Sequence, residues 1–261
     1  MPTVSLPVHK RGFGQTSRTD RWWLTPLLIF LGLGSFVGYA NWAAFQGEHY
    51  HLGPYLSPFY SPEIYGDSPH AIFGPKPSWW PGWLPFSPAM LILWAPAGFR
   101  LTCYYYRGTY YKAFWADPPN CAVGEPRKKY IGEHSFPLIL QNLHRYFLYF
   151  AVAFIFFLGY DAIRAFFFAD GFGVGIGTLV LCANVILLSG YTFGCHSMRH
   201  LVGGGRDCVS QSAMCHKAYC CSSALNKRHM YWAWTSLVMV MFADVYIRLC
   251  SMGIWRDIRI L

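Results

Sequence analysis

Apolar residues in this chain fall in long blocks separated by polar and charged stretches, not in the short alternating runs of a soluble domain. A membrane-spanning helix needs roughly 20 predominantly apolar residues. Five stretches meet or approach that length and predict helices over residues 22–45, 85–106, 143–168, 174–195 and 230–250. The second carries Pro88 and Pro96, which a membrane helix tolerates where neighbouring helices or water satisfy the freed carbonyls. The first is too long for a secretory signal and lacks a small-residue cleavage site, so it too reads as a span. The expected fold is all-α: a single polytopic membrane domain over 1–261, a bundle of five transmembrane helices. An outer loop covers 47–84, and inner loops cover 107–142 and 196–229.

Composition supports lipid as the solvent. The 261 residues are 54% hydrophobic and only 13% charged, with a mean hydropathy of +0.25, whereas soluble domains carry about a quarter charged residues. Lys and Arg set the orientation. With the N-terminus inside and the C-terminus outside, only Lys76, Arg164, Arg248, Arg256 and Arg259 of the 21 basic residues fall outside, as the positive-inside rule requires. The net charge of +9 then reads as topology, with attraction to anionic lipid or an acidic partner. Basic residues dispersed between spans argue against nucleic-acid binding. The outer loop's "PSWWPGWLPF" reads as an aromatic belt at headgroup level; His49, His51 and His70 share that loop.

Nine cysteines are an odd number, which argues against a closed disulfide framework. All but Cys182 and Cys250 fall at or near the inner side, where thiols stay reduced; those two read as apolar packing residues. The inner ends of four predicted spans each offer a metal ligand: Cys103, His144, Cys195 with His196, and His229. A bundle gathers such ends, and bundle cores are a usual place for cofactors. Two thiolates with two imidazoles suit zinc or an iron–sulfur cluster. A bis-imidazole haem would use His144 with His229 or His196. A third set, Cys195, His196, His200 and Cys208, lies within one loop. "CHKAYCC" (Cys215 to Cys221) has zinc-like residues but no matched second pair, and reads as free thiols. Asp161, Arg164, Asp244 and Arg248 lie within spans near the outer side, where pairing between the helices, or a proton path, is expected. Asn184 and Ser189 are expected to bond a neighbouring helix.

The segments "LILWAPAGFRLTCYYYRGTYYKAFWADPPNCAVGE", "YTFGCHSMRHLVGGGRDC", "LNKRHMYWAW" and "DVYIRLCSMGIWRDIRIL" resemble the single-chain membrane anchor of succinate dehydrogenase, respiratory complex II, and most nearly its type F enzymes. The resemblance covers most of residues 85 to 261. It implies a bacterial inner-membrane protein whose flavoprotein and iron–sulfur partner subunits dock on the cytoplasmic side. It further implies a Rieske-type [2Fe–2S] cluster in place of haem b, and a nearby quinone site. The expected ligands are Cys103, His144, Cys195 and His229, one per helix end. His196 or His200 is the alternative histidine, and Cys208 or Cys121 the alternative cysteine. Tyr104, Tyr105, Tyr106, Arg107 and Trp115, with Tyr110 and Tyr111, are the expected quinone-side residues, because Arg and Tyr donors can hold a quinone oxygen. A haem b anchor and a non-redox scaffold or transporter are the competing readings. The chain carries no flavin or nucleotide fingerprint, so succinate oxidation falls to its partners.

Overall fold

The structure is a computed structural model that describes residues 12–127, 136, 138–204 and 208–261. Lys10, Arg11, Lys128, Lys129 and Arg206, which entered the charge count, lie outside the described residues. The helices are α1 (Leu24–Gln46), α2 (Trp94–Thr102), α3 (Tyr104–Ala113), α4 (His144–Arg164), α5 (Ile176–Phe193), α6 (His196–Gly203), α7 (Ala213–Asn226) and α8 (His229–Ser251). Two antiparallel hairpins add β1 (His51–Leu52) with β2 (Tyr55–Leu56), and β3 (Phe167–Phe168) with β4 (Gly171–Phe172).

Among the described residues, four helical stretches are long and apolar enough to cross a membrane: Leu24–Gln46, Ile139–Arg164, Ile176–Phe193 and His229–Ser251. They match four of the five predicted spans. In hydrocarbon a helix satisfies every interior backbone group within itself, so uninterrupted apolar runs take this form. The predicted helix at 85–106 does not form as one element. It is a 3-10 turn (Pro88–Leu91), then α2, then α3. Pro88 opens the turn and Pro96 sits in the first turn of α2, positions where a missing N–H costs nothing but where a preceding helix has to stop. At Cys103 the backbone is extended (φ −64°, ψ 128°), which separates α2 from α3.

The chain divides into two units, Met1–Ser35 with Leu101–Asn142, and Phe36–Arg100 with Leu143–Leu261. In the second, α5 packs between α4 and α8, and Ala162, Val180, Leu181, Ala243 and Ile247 form part of the core. Glycine permits the close approach: a Cβ on Gly190 would lie 2.5 Å from the Trp232 ring. The starts of α4 and α8 and the end of α5 lie together and make a histidine end. The opposite ends make a carboxylate end, where Thr178 Oγ1 donates to Ala165 O at 2.8 Å.

The carboxylate end is closed by the loop after α1. That loop is not simply a belt on the membrane. Tyr50, Tyr55, Leu56, Phe59 and Tyr60 are buried, although Trp79 and Trp83 remain exposed. Ser57 donates to Asp244 and Ser61 to Asp161. Tyr39 Oη donates to Asp244 Oδ2 at 2.5 Å, and Arg248 Nε to the same oxygen at 3.2 Å. The ion pair expected between helices therefore forms within α8 instead, because residues four apart share a helix face; Arg164 contacts Tyr160. The chain end also docks here. Asp257 accepts from Tyr55 Oη (2.8 Å), Tyr246 Oη (2.6 Å) and Gly177 N (2.9 Å). Ile176 N donates to Ile258 O, and Val174 N to Leu261 O, each at 3.0 Å.

In the first unit, Arg18 holds the loop after α3 through Asn120 Oδ1 (3.1 Å) and Cys121 O (3.0 Å). Arg127 pairs with Asp117 at 2.7 Å, and Gln141 Nε2 donates to Tyr110 Oη at 3.1 Å.

Candidate functional site

The histidine end of the second unit is built from three chain breaks. Gly194 ends α5 in a turn too tight for a side chain: a Cβ there would lie 2.6 Å from Gly190 O. Two bonds from α7 hold the turn, Ser222 Oγ to Phe193 O and Asn226 Nδ2 to Gly194 O, both 2.8 Å. The next residue, Cys195, is extended and caps the start of α6, which leaves its thiol buried and aimed back at α4. His144, the first residue of α4, places Nε2 3.0 Å from Cys195 Sγ. His229, the first residue of α8, lies close enough to His144 to interact electrostatically.

Aromatic rings connect the two histidines. His144 stacks on Phe99 (centroids 4.7 Å apart, planes 9° apart). Phe99 meets Tyr191 edge-on at 5.5 Å, and Tyr191 stacks on His229 at 5.1 Å. Arg100 completes the group. Its Cζ lies 4.7 Å over the Tyr191 ring, and its fork donates to Ala233 O (3.2 Å) and Ser236 Oγ (2.9 Å) in the first turns of α8. Gly98 lets this segment reach α4, since a Cβ there would lie 2.2 Å from the Phe147 ring. An apolar cavity of about 420 Å³, lined by Phe36, Phe59, Leu93, Phe99, Arg100 and Tyr191 among others, opens beside the array. Sequence reasoning missed Phe99, Arg100 and Tyr191. The first and last are aromatics inside apolar runs, but Arg100 was visible as a cation just before Cys103.

Three of the four expected ligands, His144, Cys195 and His229, thus share one end of one unit. Cys103 belongs to the other unit, where it is buried at the start of α3 and its carbonyl accepts from Arg107 N at 2.8 Å. Among the described residues no three His, Cys, Asp or Glu side chains converge as a ready-made metal cage. The donor set of the second unit, one buried thiol in contact with one imidazole and a second imidazole nearby, fits an iron–sulfur cluster in chemical type. Of the alternative ligands, Cys121 is exposed in the first unit, and His196 and His200 contact each other on α6. Cys208 is exposed and 2.8 Å from Ser210 Oγ, whose hydrogen bond holds the thiol below its usual pKa. Cys215, Cys220 and Cys221 lie on α7.

The quinone-side candidates all lie in the first unit, on and after α3. Tyr106 and Tyr110 are buried, Tyr104 is exposed with Arg107 over its ring (5.1 Å), and Trp115 packs on Tyr110 (5.3 Å).

Comparison with known proteins gives a consistent result. Residues 24–253 match the family profile described as actinobacterial succinate dehydrogenase subunit SdhC. A chain of the solved structure "Mycobacterium smegmatis Sdh1 complex in the apo form" superposes with a TM-score of 0.87. Its sequence is 44% identical, and 98% of each chain is covered. No curated protein is significantly similar. The chain therefore belongs to the actinobacterial SdhC family: it is a membrane-anchor subunit of succinate dehydrogenase and a multi-pass protein of the bacterial inner membrane.

Proposed function

We propose that this subunit holds a Rieske-type [2Fe–2S] cluster at its histidine end and passes electrons through it to quinone, from the iron–sulfur subunit of an enzyme whose flavoprotein subunit oxidises succinate. The observation that carries the reading is the His144–Cys195 contact at 3.0 Å, with His229 at the same end of the unit. Cys195, His144 and His229 would be ligands. A bound cluster of this kind supplies a one-electron carrier whose imidazole ligands raise its potential. The chain's own residues prepare the place. Gly194 and α7 fix the thiol, Phe99 and Tyr191 hold the imidazole planes, and their rings exclude water. The Arg100 fork ties this segment to α8, and its positive charge favours electron arrival nearby. The adjoining apolar cavity is of a size for a quinone with part of its tail, since ligand pockets run about 300–1,000 Å³.

The same reading takes five crossings, with the N-terminus and the soluble partners on the cytoplasmic side. The fifth crossing is the broken segment from Ser87 to Thr102. Ser87 lies by Tyr60 at the carboxylate end, and Arg100 is tied to α8 at the histidine end.

The test is low-temperature electron paramagnetic resonance of the purified complex during stepwise reduction, with its visible spectrum. A Rieske-type signal without a haem band is expected. His144→Ala with His229→Ala should remove that signal and quinone reduction, while succinate oxidation by a soluble artificial acceptor persists. A haem band without the signal, or quinone reduction unchanged in the double variant, would overturn the assignment.

A further inference from the structure

The cluster reading leaves the motif "HSMRH", His196 to His200, unused. It forms the first turn and a quarter of α6, where residues four apart share a face. Two histidines at that spacing on a helix are the metal-holding half of the H-E-x-x-H pattern. Here both residues are exposed, their ring centroids lie 4.4 Å apart, and their Nε2 atoms are 3.0 Å apart. Two nitrogens each about 2.0–2.1 Å from one zinc ion are separated by about 3.3 Å at the tetrahedral angle and about 2.9 Å at a right angle. The observed separation falls between these values and so matches two nitrogens held by one ion. The cation between them in sequence, Arg199, lies over the Tyr219 ring (5.8 Å) on α7.

We propose that His196 and His200 form a two-imidazole chelate for a divalent transition-metal ion such as zinc, distinct from the His144–Cys195 pair. Among the described residues no third protein ligand joins them, so the other coordination positions are open to water. This describes an exchangeable site, not a closed structural one. Its placement gives it leverage. Cys195 is the residue that caps α6, so an ion held across the first turn stiffens the helix start that presents the buried thiol.

The rival pair is His216 with Cys220 on α7, also four apart, with Nε2 to Sγ at 3.6 Å. The experiment is equilibrium dialysis of the purified, detergent-solubilised complex against micromolar Zn²⁺ with metal analysis, in wild type and variants. His200→Ala should lose one equivalent of zinc per subunit and keep the paramagnetic signal of the enzyme's clusters. His200→Asp, which restores a ligand at the same spacing, should regain that equivalent. Three results would overturn the proposal: unchanged zinc in His200→Ala, loss of the equivalent in His216→Ala/Cys220→Ser instead, or loss of a cluster signal in His200→Ala. The last would make His200 a cluster ligand. Zinc stoichiometry does not depend on the [2Fe–2S] reading, so failure of one leaves the other testable.

Discussion

Removing the Asp244 carboxylate isolates Arg248 in the interior of the helix bundle. Arg248 is 4% exposed and Asp244 0%, and the pair sits within a membrane-spanning helix. Asp244 accepts from Arg248, Tyr39 and Ser57, while Arg248 has one further donor bond, to Glu48 O at 2.8 Å, and the Trp42 ring at 5.3 Å. Breaking a buried pair from one side costs about 3–5 kcal/mol, because the remaining charge is left uncompensated. For a chain of this size each kcal/mol lowers Tm by about 2–4 °C, so Asp244→Ala should lower it by roughly 6–20 °C. Arg248→Met should cost less, since Tyr39 and Ser57 still serve the carboxylate. Replacing both with apolar residues, Asp244→Leu/Arg248→Met, should recover much of the loss, because an apolar pair of similar volume is often neutral. The assay is thermal unfolding of the detergent-solubilised complex for the two singles and the double. If the double loses as much as the two singles summed, or Asp244→Ala leaves Tm unchanged, the pair is not acting as a mutually compensated charge.

Two further substitutions test the site and the loop near it. Gly98→Ala should push the segment off Phe147 and cost about 1–3 kcal/mol by overpacking; Phe147→Ala added to it should recover stability, and Gly98→Ala with an unchanged Tm would refute the close approach. Ser210→Ala should raise the pKa of Cys208, because the lost hydrogen bond favours the thiolate. The pH–rate curve for alkylation of Cys208 should then move to higher pH, and an unmoved curve would refute the contact.

The long spans were legible because uninterrupted apolar runs have one solution in lipid. The segment around Pro88 and Pro96 was not, since composition made it one helix, whereas the prolines set where its turns begin and the extended Cys103 separates α2 from α3. The helix-end positions of His144, Cys195 and His229 could be read from the position of polar residues against apolar blocks. Phe99 and Tyr191 could not, because an aromatic facing a histidine and one facing lipid look alike in sequence. The folding of the loop after α1 onto the bundle was equally hidden. It rests on contacts such as Ser61 with Asp161 and Tyr55 with Asp257, 100 and 202 residues apart.

The chain end docked against α5 has a consequence for biogenesis. A helix leaves its first N–H groups without partners of its own, and those of Ile176 and Gly177 are satisfied by Ile258 and Asp257. Asp257 is synthesised 80 residues after Gly177, which at 5–20 residues per second is a delay of about 4–16 s. Throughout that interval the start of α5 lacks these partners, and α8, which ends at Ser251, is completed only near its close. The second unit therefore cannot close from its N-terminal side as it is made. Its last residues act as a latch, and a ribosome that stalls short of Asp257 leaves Gly177 N, Tyr55 Oη and Tyr246 Oη without their shared acceptor.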